Sequence, residues 1–433
     1  MRPTVPAVSL LLALPMASAL SAQTTRPVND PVGKLNHELA AGEMELEGQG
    51  DWGYARSLME HLDLYPDSQV LVLSKTSLQA TLISPQKPRA LYFNDDVMMG
   101  IVQDSGLLEF TSLDPTEGLL FYTLDQAAPV GDDDPAAGSP ASVKDRGLVT
   151  EPRFVRRSDC GSCHGPVNQY APGLIVATSF PAPTGTARHT ADGIFQLTDH
   201  RTPFEERWGG FYVTGTHGEI THRGNAVAPD LEHPYVLDTA DTGDITSLED
   251  RFDVTKYLES TGDIVALMTL GHQTGMINLL NSVGAQFRAS ETFPLPEAEL
   301  AAEVDRLVSY MLFVGEARLG SPIGGVSTFS ETFPARGPFD SQGLSLRAFD
   351  LQTRLFQYPL SYMIYSARFD GLPQSARDQI YRRLYEVLTG SVTDGGYDGD
   401  DDELDAARRR DLLEILVDTK PGLPEYFTLA PQP

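Results

Sequence analysis

The pentapeptide Cys160-Gly161-Ser162-Cys163-His164 holds both cysteines of a 433-residue chain, and that limits the fold from the outset. No disulfide can tie distant segments together, so tertiary structure must rest on packing and hydrogen bonding. Hydrophobic residues, 41% of the chain, supply material for a core, and the length suggests two or three structural units. The spacing also narrows the chemistry. A zinc site would need a third cysteine or neighbouring histidines at ligand spacing, and there is no third cysteine. A thioredoxin-like dithiol sits at a strand-to-helix junction, which the flanks Arg156-Arg157-Ser158-Asp159 and Gly165-Pro166-Val167-Asn168 do not suggest. A disulfide closed within the pentapeptide is the remaining alternative.

Cys-x-x-Cys-His is the attachment pattern of c-type haem. Two residues between the thiols let both sulfurs reach vinyl groups on one edge of a porphyrin. The histidine that follows is then carried under the ring as the proximal iron ligand. The pentapeptide resembles that of cytochromes c, over these five residues and no further. The expected cofactor is one covalent haem c on Cys160 and Cys163, with His164 on the iron.

The first 22 residues contain Arg2, an apolar run from Val5 to Leu14, and small residues ending at Ala19 or Ala22. That is the layout of a cleavable secretory signal peptide, so an exported, periplasmic protein is expected. No later stretch is an uninterrupted apolar run of spanning length: residues 264–280 contain His272, Gln273 and Asn278. No membrane span is expected. The formal net charge of -28 argues against nucleic acid and anionic lipid as partners and favours cationic ones. A haem c protein further implies a redox partner protein or a small electron donor or acceptor.

Five short segments rich in β-branched, aromatic or leucine residues (69–74, 89–94, 97–103, 107–112 and 119–124) alternate with the turn signals Asn94-Asp95-Asp96, Asp104-Ser105-Gly106 and Asp114-Pro115-Thr116. They predict an antiparallel meander, followed by a loop over residues 132–147. Residues 151–250 lack helical periodicity, with strand candidates at 174–180 and 210–214. From residue 258 the period becomes helical. Ile264, Met268, His272, Met276, Leu279, Leu280 and Val283 share a face, with Thr261 or Asp263 as a start and Gly284 as a stop. Further helices are expected over 297–314, 344–356, 375–388 and 403–417, and residues 358–369 are aromatic and expected to be buried. The acidic run 398–403 lacks the sixth-position glycine of a calcium loop and reads as a solvated cap. The fold class is therefore α+β: signal peptide 1–22, β-rich part 23–150, loop-rich haem segment 151–250, helical part 251–433.

A polar cluster spans His200 to Asn225 and includes Arg201, Arg207, Trp208, His217 and His222 among several glycines. Its run Trp208 to Gly218 resembles one found in long exported cytochrome c domain proteins of unassigned activity. His272 is the leading candidate for the sixth iron position, ahead of His217 or His222, then an open site, then Met276. His37, His61, His189 and His233 read as surface residues. Two functions follow. One is a one-electron carrier. The other is a haem c oxidoreductase whose distal pocket uses His217 or His222 for proton transfer and Arg201 or Arg207 to bind an anionic or peroxo species.

Overall fold

The computed structural model describes residues 28–128, 146–165, 170–188, 196–229, 233, 235–239, 242–391 and 404–428. The expected signal peptide, nearly all of the 132–147 loop, His189 and the acidic run 398–403 lie outside them. The described chain is a mixed α/β fold built on one antiparallel sheet.

The sheet strands are β1 (Val70–Val72), β2 (Arg89–Phe93), β3 (Val97–Val102), β4 (Leu107–Asp114), β5 (Gly118–Asp125) and β6 (Phe154–Arg156). Two small pairs follow, β7 (Ala177–Thr178) with β10 (Gln196–Leu197) and β8 (Phe180–Pro181) with β9 (Ala187–Arg188). Strand β11 (Phe211–Tyr212) returns to the main sheet, whose order is β11-β1-β2-β3-β4-β5-β6. The meander from β2 to β5 forms because short polar side chains close its turns. Asn94 Oδ1 accepts from the amides of Asp96 and Val97 at 3.0 and 2.8 Å. Asp114 Oδ1 accepts from Thr116 and Glu117 at 2.8 and 2.7 Å.

Alternation sends the strands' side chains into two cores. The row Tyr92, Met99, Phe110 and Tyr122 faces α1 (Pro31–Ala41) and α2 (Ala55–His61), which contribute Val32, Leu35 and Leu58. The opposite face presents Phe93, Leu113, Leu119 and Phe121 to the C-terminal helices. After a single turn, α3 (Gly161–His164), these are α4 (Ile264–Thr292), α5 (Glu297–Met311), α6 (Phe329–Ala335), α7 (Ala367–Asp370), α8 (Gln374–Leu388) and α9 (Ala406–Thr419). Residues 358–369 are buried as expected, with Tyr362, Met363 and Phe369 fully enclosed.

Helix α4 organises the second layer. Its 29 residues span about 43 Å. The N-terminal end sits beside β11, where Thr214 N donates to Gly262 O at 2.8 Å. Farther along, Asn281 accepts from Arg368, whose guanidinium also donates to Pro115 O in the β4–β5 turn, at 2.9 and 2.7 Å. The helix therefore crosses the sheet from one edge towards the other.

Three expectations change. Gly284 does not end α4; its missing side chain leaves room for Leu372, whose Cδ2 would lie 3.1 Å from an added Cβ, and for the Arg368 guanidinium. No helix forms over 344–356. There Asp350 Oδ1 captures the amides of Gln352 and Thr353 at 2.7 and 2.6 Å, and Phe349 bridges to Phe356. Local side-chain acceptors displace the helical ladder. Finally, the sheet does not stop at residue 150, because β6 and β11 come from the central segment.

Candidate functional site

The pentapeptide is a single helical turn. His164 N donates to Cys160 O at 2.9 Å and Cys163 N to the same oxygen at 3.1 Å, so the two cysteines lie three residues apart on one side of the turn. The approach is braced. Arg157 N donates to Phe121 O at 2.8 Å, and its guanidinium grips Asp159 through two bonds of 2.8 and 2.6 Å. That grip holds the Asp159 carboxyl down at about 2. Both cysteines are free thiols. Cys160 is half-buried against the second core, where burial raises its pKa, and Cys163 is exposed.

His164 is held rather than loose. Its ring lies 4.7 Å from that of Phe121, and Nδ1 is 2.9 Å from Gly173 O. A carbonyl only accepts, so Nδ1 carries the proton and Nε2 keeps its lone pair. Burial lowers the pKa of this imidazole, which favours the neutral form that ligates metals. Leu174, next to Gly173, is tied to α4 by a two-way pair with Asn278 (2.7 and 2.9 Å). Asn278 lies 15 residues beyond Asp263, so the pentapeptide docks roughly 22 Å from the N-terminal end of α4.

Glu109 acts electrostatically on both Cys160 and His164, Arg89 acts on His164, and the two pair with each other at 3.2 Å. Arg89 Nε is buried without a hydrogen-bond partner. On the same sheet face, Leu91, Met98 and, from α4, Leu279 are half-buried. Residue patterns alone gave no hint of Arg89 or Met98; the strand register is what brings them here.

The remaining candidates are placed elsewhere. His272 is fully buried in α4, with Nδ1 2.9 Å from His200 Nδ1 and Nε2 2.8 Å from Ser361 Oγ. Neither nitrogen is left for iron, which corrects its assignment as the distal ligand. Its pKa is pushed down to about 3 by burial. His200, read only as part of the polar cluster, is its partner, and Met276 is fully enclosed in the core.

His217 and His222 do come together, with ring centroids 4.8 Å apart and both rings buried. His222 Nδ1 accepts from Gly224 N at 3.0 Å, and burial holds its pKa at about 3. They follow β11 at the opposite edge of the sheet from β5. Thr214 pairs there with Asp263 beside the start of α4. Five strand spacings amount to roughly 24 Å, so these histidines do not form a distal pocket over His164.

Arg207 is buried and structural: Nε donates to Thr202 O at 2.6 Å, Nη2 donates to His200 O at 2.8 Å, and the guanidinium lies over Phe204. Arg201 pairs with Asp199 at 2.6 Å. Neither is poised as an anion receptor. The glycines of the Trp208 run have a plain use. A Cβ at Gly210, where φ is +94°, would meet Ser74 Oγ at 2.8 Å, so the run lets β11 pack closely on its neighbours. His37, His61 and His233 are exposed, as expected.

Among the described residues, no group of three or more His, Cys, Asp or Glu is arranged to hold a metal ion, and no helix is long and apolar enough to cross a membrane. No protein-family model, curated protein or solved structure matches this chain.

Proposed function

We propose that the protein is an exported, periplasmic one-electron carrier with a single haem c, attached through Cys160 and Cys163 and ligated by His164. The observation that carries this reading is the orientation of His164, whose Nδ1 is anchored on Gly173 O at 2.9 Å so that Nε2 is free. Metal-bound histidines are held in this way, with the second nitrogen engaged by a carbonyl or carboxylate. The surroundings suit the group. Two free thiols lie on one side of the turn, and half-buried apolar side chains adjoin them. The buried Arg89 Nε is an unmatched donor for a propionate. When bound, haem c supplies reversible one-electron chemistry at iron. The protein's part is to hold His164 neutral and oriented and to set the polarity around the ring.

The test is expression with the haem-attachment machinery, followed by intact-mass analysis and a haemochrome spectrum. The expected mass is that of the processed chain plus one haem, and Cys160→Ala with Cys163→Ala abolishes the covalent adduct. A colourless product with the mass of the bare processed chain overturns the reading.

A further inference from the structure

We propose that the sixth iron ligand is Met98, delivered by the sheet rather than by helix α4 or the polar cluster; this rests on the haem c reading above. The side chains that usually close this position are methionine and histidine, and few in this molecule have a donor to offer. The histidines His200, His217, His222 and His272 are at most 3% exposed: His272 has both nitrogens engaged, His200 is packed against it through Nδ1, and His217 and His222 follow β11 at the far end of the sheet. His37 and His61 belong to α1 and α2, on the opposite face of the sheet.

Among the eight described methionines, Met59, Met99, Met268, Met276, Met311 and Met363 are at most 5% exposed. Met44 packs against the core on the α1 and α2 side. Met98 alone is both half-buried and on the side of the sheet that carries the pentapeptide.

Register fixes that placement. Met98 pairs with Thr111, and Thr111 pairs with Phe121, so the three side chains stand in one row on one face. Phe121 is the ring on which His164 rests, at 4.7 Å. Two strand spacings separate Met98 from Phe121, roughly 10 Å between backbones. Metal–nitrogen and metal–sulfur bonds of about 2.0 and 2.3 Å put two opposed donors roughly 4–5 Å apart. A flexible thioether at one end of the row and an imidazole tilted at 42° against Phe121 at the other can span that interval. Between them stands Thr111, a small side chain. One step along β3 on the same face, Gly100 lies between Leu91 and Glu109, and its missing side chain leaves room for the Arg89 guanidinium, whose Nε would lie 2.7 Å from an added Cβ, so the Arg89–Glu109 pair borders the row on that side. Met99, the next residue, points into the other core and cannot substitute.

The experiment compares ferric and ferrous holoprotein for wild type, Met98→Leu and Met98→His. Leucine conserves volume and removes the sulfur. Wild type is expected to be low-spin with the weak charge-transfer band of iron–thioether bonding. Met98→Leu is expected to become high-spin, to lose that band, to show a lower reduction potential, and to bind added imidazole roughly tenfold tighter or more. Met98→His is expected to return to low-spin at a lower potential than wild type. A wild-type spectrum without the thioether band overturns the assignment, whatever the variants do. A covalent haem whose spectrum and potential are the same in Met98→Leu also overturns it while leaving the haem c reading intact. Failure to attach haem at all overturns both.

Discussion

A buried charge pair shows how individual residues hold this fold without disulfides. Arg354 Nη2 donates to Glu316 Oε2 at 2.7 Å, and Glu316 Oε1 accepts from Leu355 N at 3.0 Å. Both side chains are almost wholly enclosed. Burial raises the Glu316 pKa, and the Arg354 charge pulls against that rise. Desolvating the two ions offsets most of their attraction, so the pair adds little net stability. Removing one partner is another matter, because it strands the other charge in the core. Glu316→Gln is therefore expected to lower the unfolding free energy by about 3–5 kcal/mol. Replacing both residues with apolar ones of similar size is expected to recover most of that loss. Urea denaturation of the single and double variants checks both statements, and equal stability in the single variant and wild type would contradict the first.

At the level of elements, the best-anchored point is the start of α4. Asp263 is fully buried and accepts from four backbone amides, Val265 (2.8 Å), Ala266 (3.2 Å), Val326 (2.7 Å) and Ser327 (2.8 Å). One carboxylate caps the helix and fastens the loop leading into α6. A cap alone is worth about 0.5–2 kcal/mol, and leaving buried amides unpaired adds about 1–3 kcal/mol. Asp263→Ala is expected to cost about 2–5 kcal/mol, with hydrogen exchange rising first at residues 264–267. Uniform exchange along α4 would mean that the cap is not what secures it.

The start of α4 was legible to within two residues, as Thr261 or Asp263, because a capping side chain preceding an apolar stripe is a local signal; the choice of Asp263 was not, since Val326 and Ser327 lie far along the chain. The β2 to β5 meander was legible from local signals as well, through Asn94 and Asp114 at its turns. The 344–356 helix was misread because helical spacing does not show that Asp350 captures the amides of Gln352 and Thr353, nor that Glu316, distant in sequence, holds Arg354 and Leu355 beside them. His272 was misread because an apolar-stripe histidine reveals its face but not its partner, and that partner lies 72 residues away. Met98 escaped notice because a strand residue's face means nothing until register with Thr111 and Phe121 is known.

For the whole molecule, the response to acid follows from groups that the fold keeps in one protonation state. Burial holds His222 and His272 at about 3, far below the ordinary value of 6.5. The unfolded chain protonates them near 6.5 and the native one does not, so as pH falls between about 6.5 and 3 the unfolded state takes up the extra protons. Each histidine then removes about 1.4 kcal/mol of stability per pH unit within that window. Asp96 works the other way. Burial, with Asp95 beside it, raises its carboxyl to about 6. Between about 6 and 3.8 the native state binds its proton more tightly, and acid returns about 1.4 kcal/mol per unit. His200, whose imidazole burial likewise holds well below its ordinary value, adds to the loss, so the buried histidines outweigh Asp96 and stability falls as the pH drops from 6 to 4. Denaturant titrations across that range are expected to show this slope. His222→Gln is expected to make it shallower, and Asp96→Asn to make it steeper. A slope of the opposite sign in wild type would mean that the buried histidines are charged in the native state, which their apolar surroundings oppose.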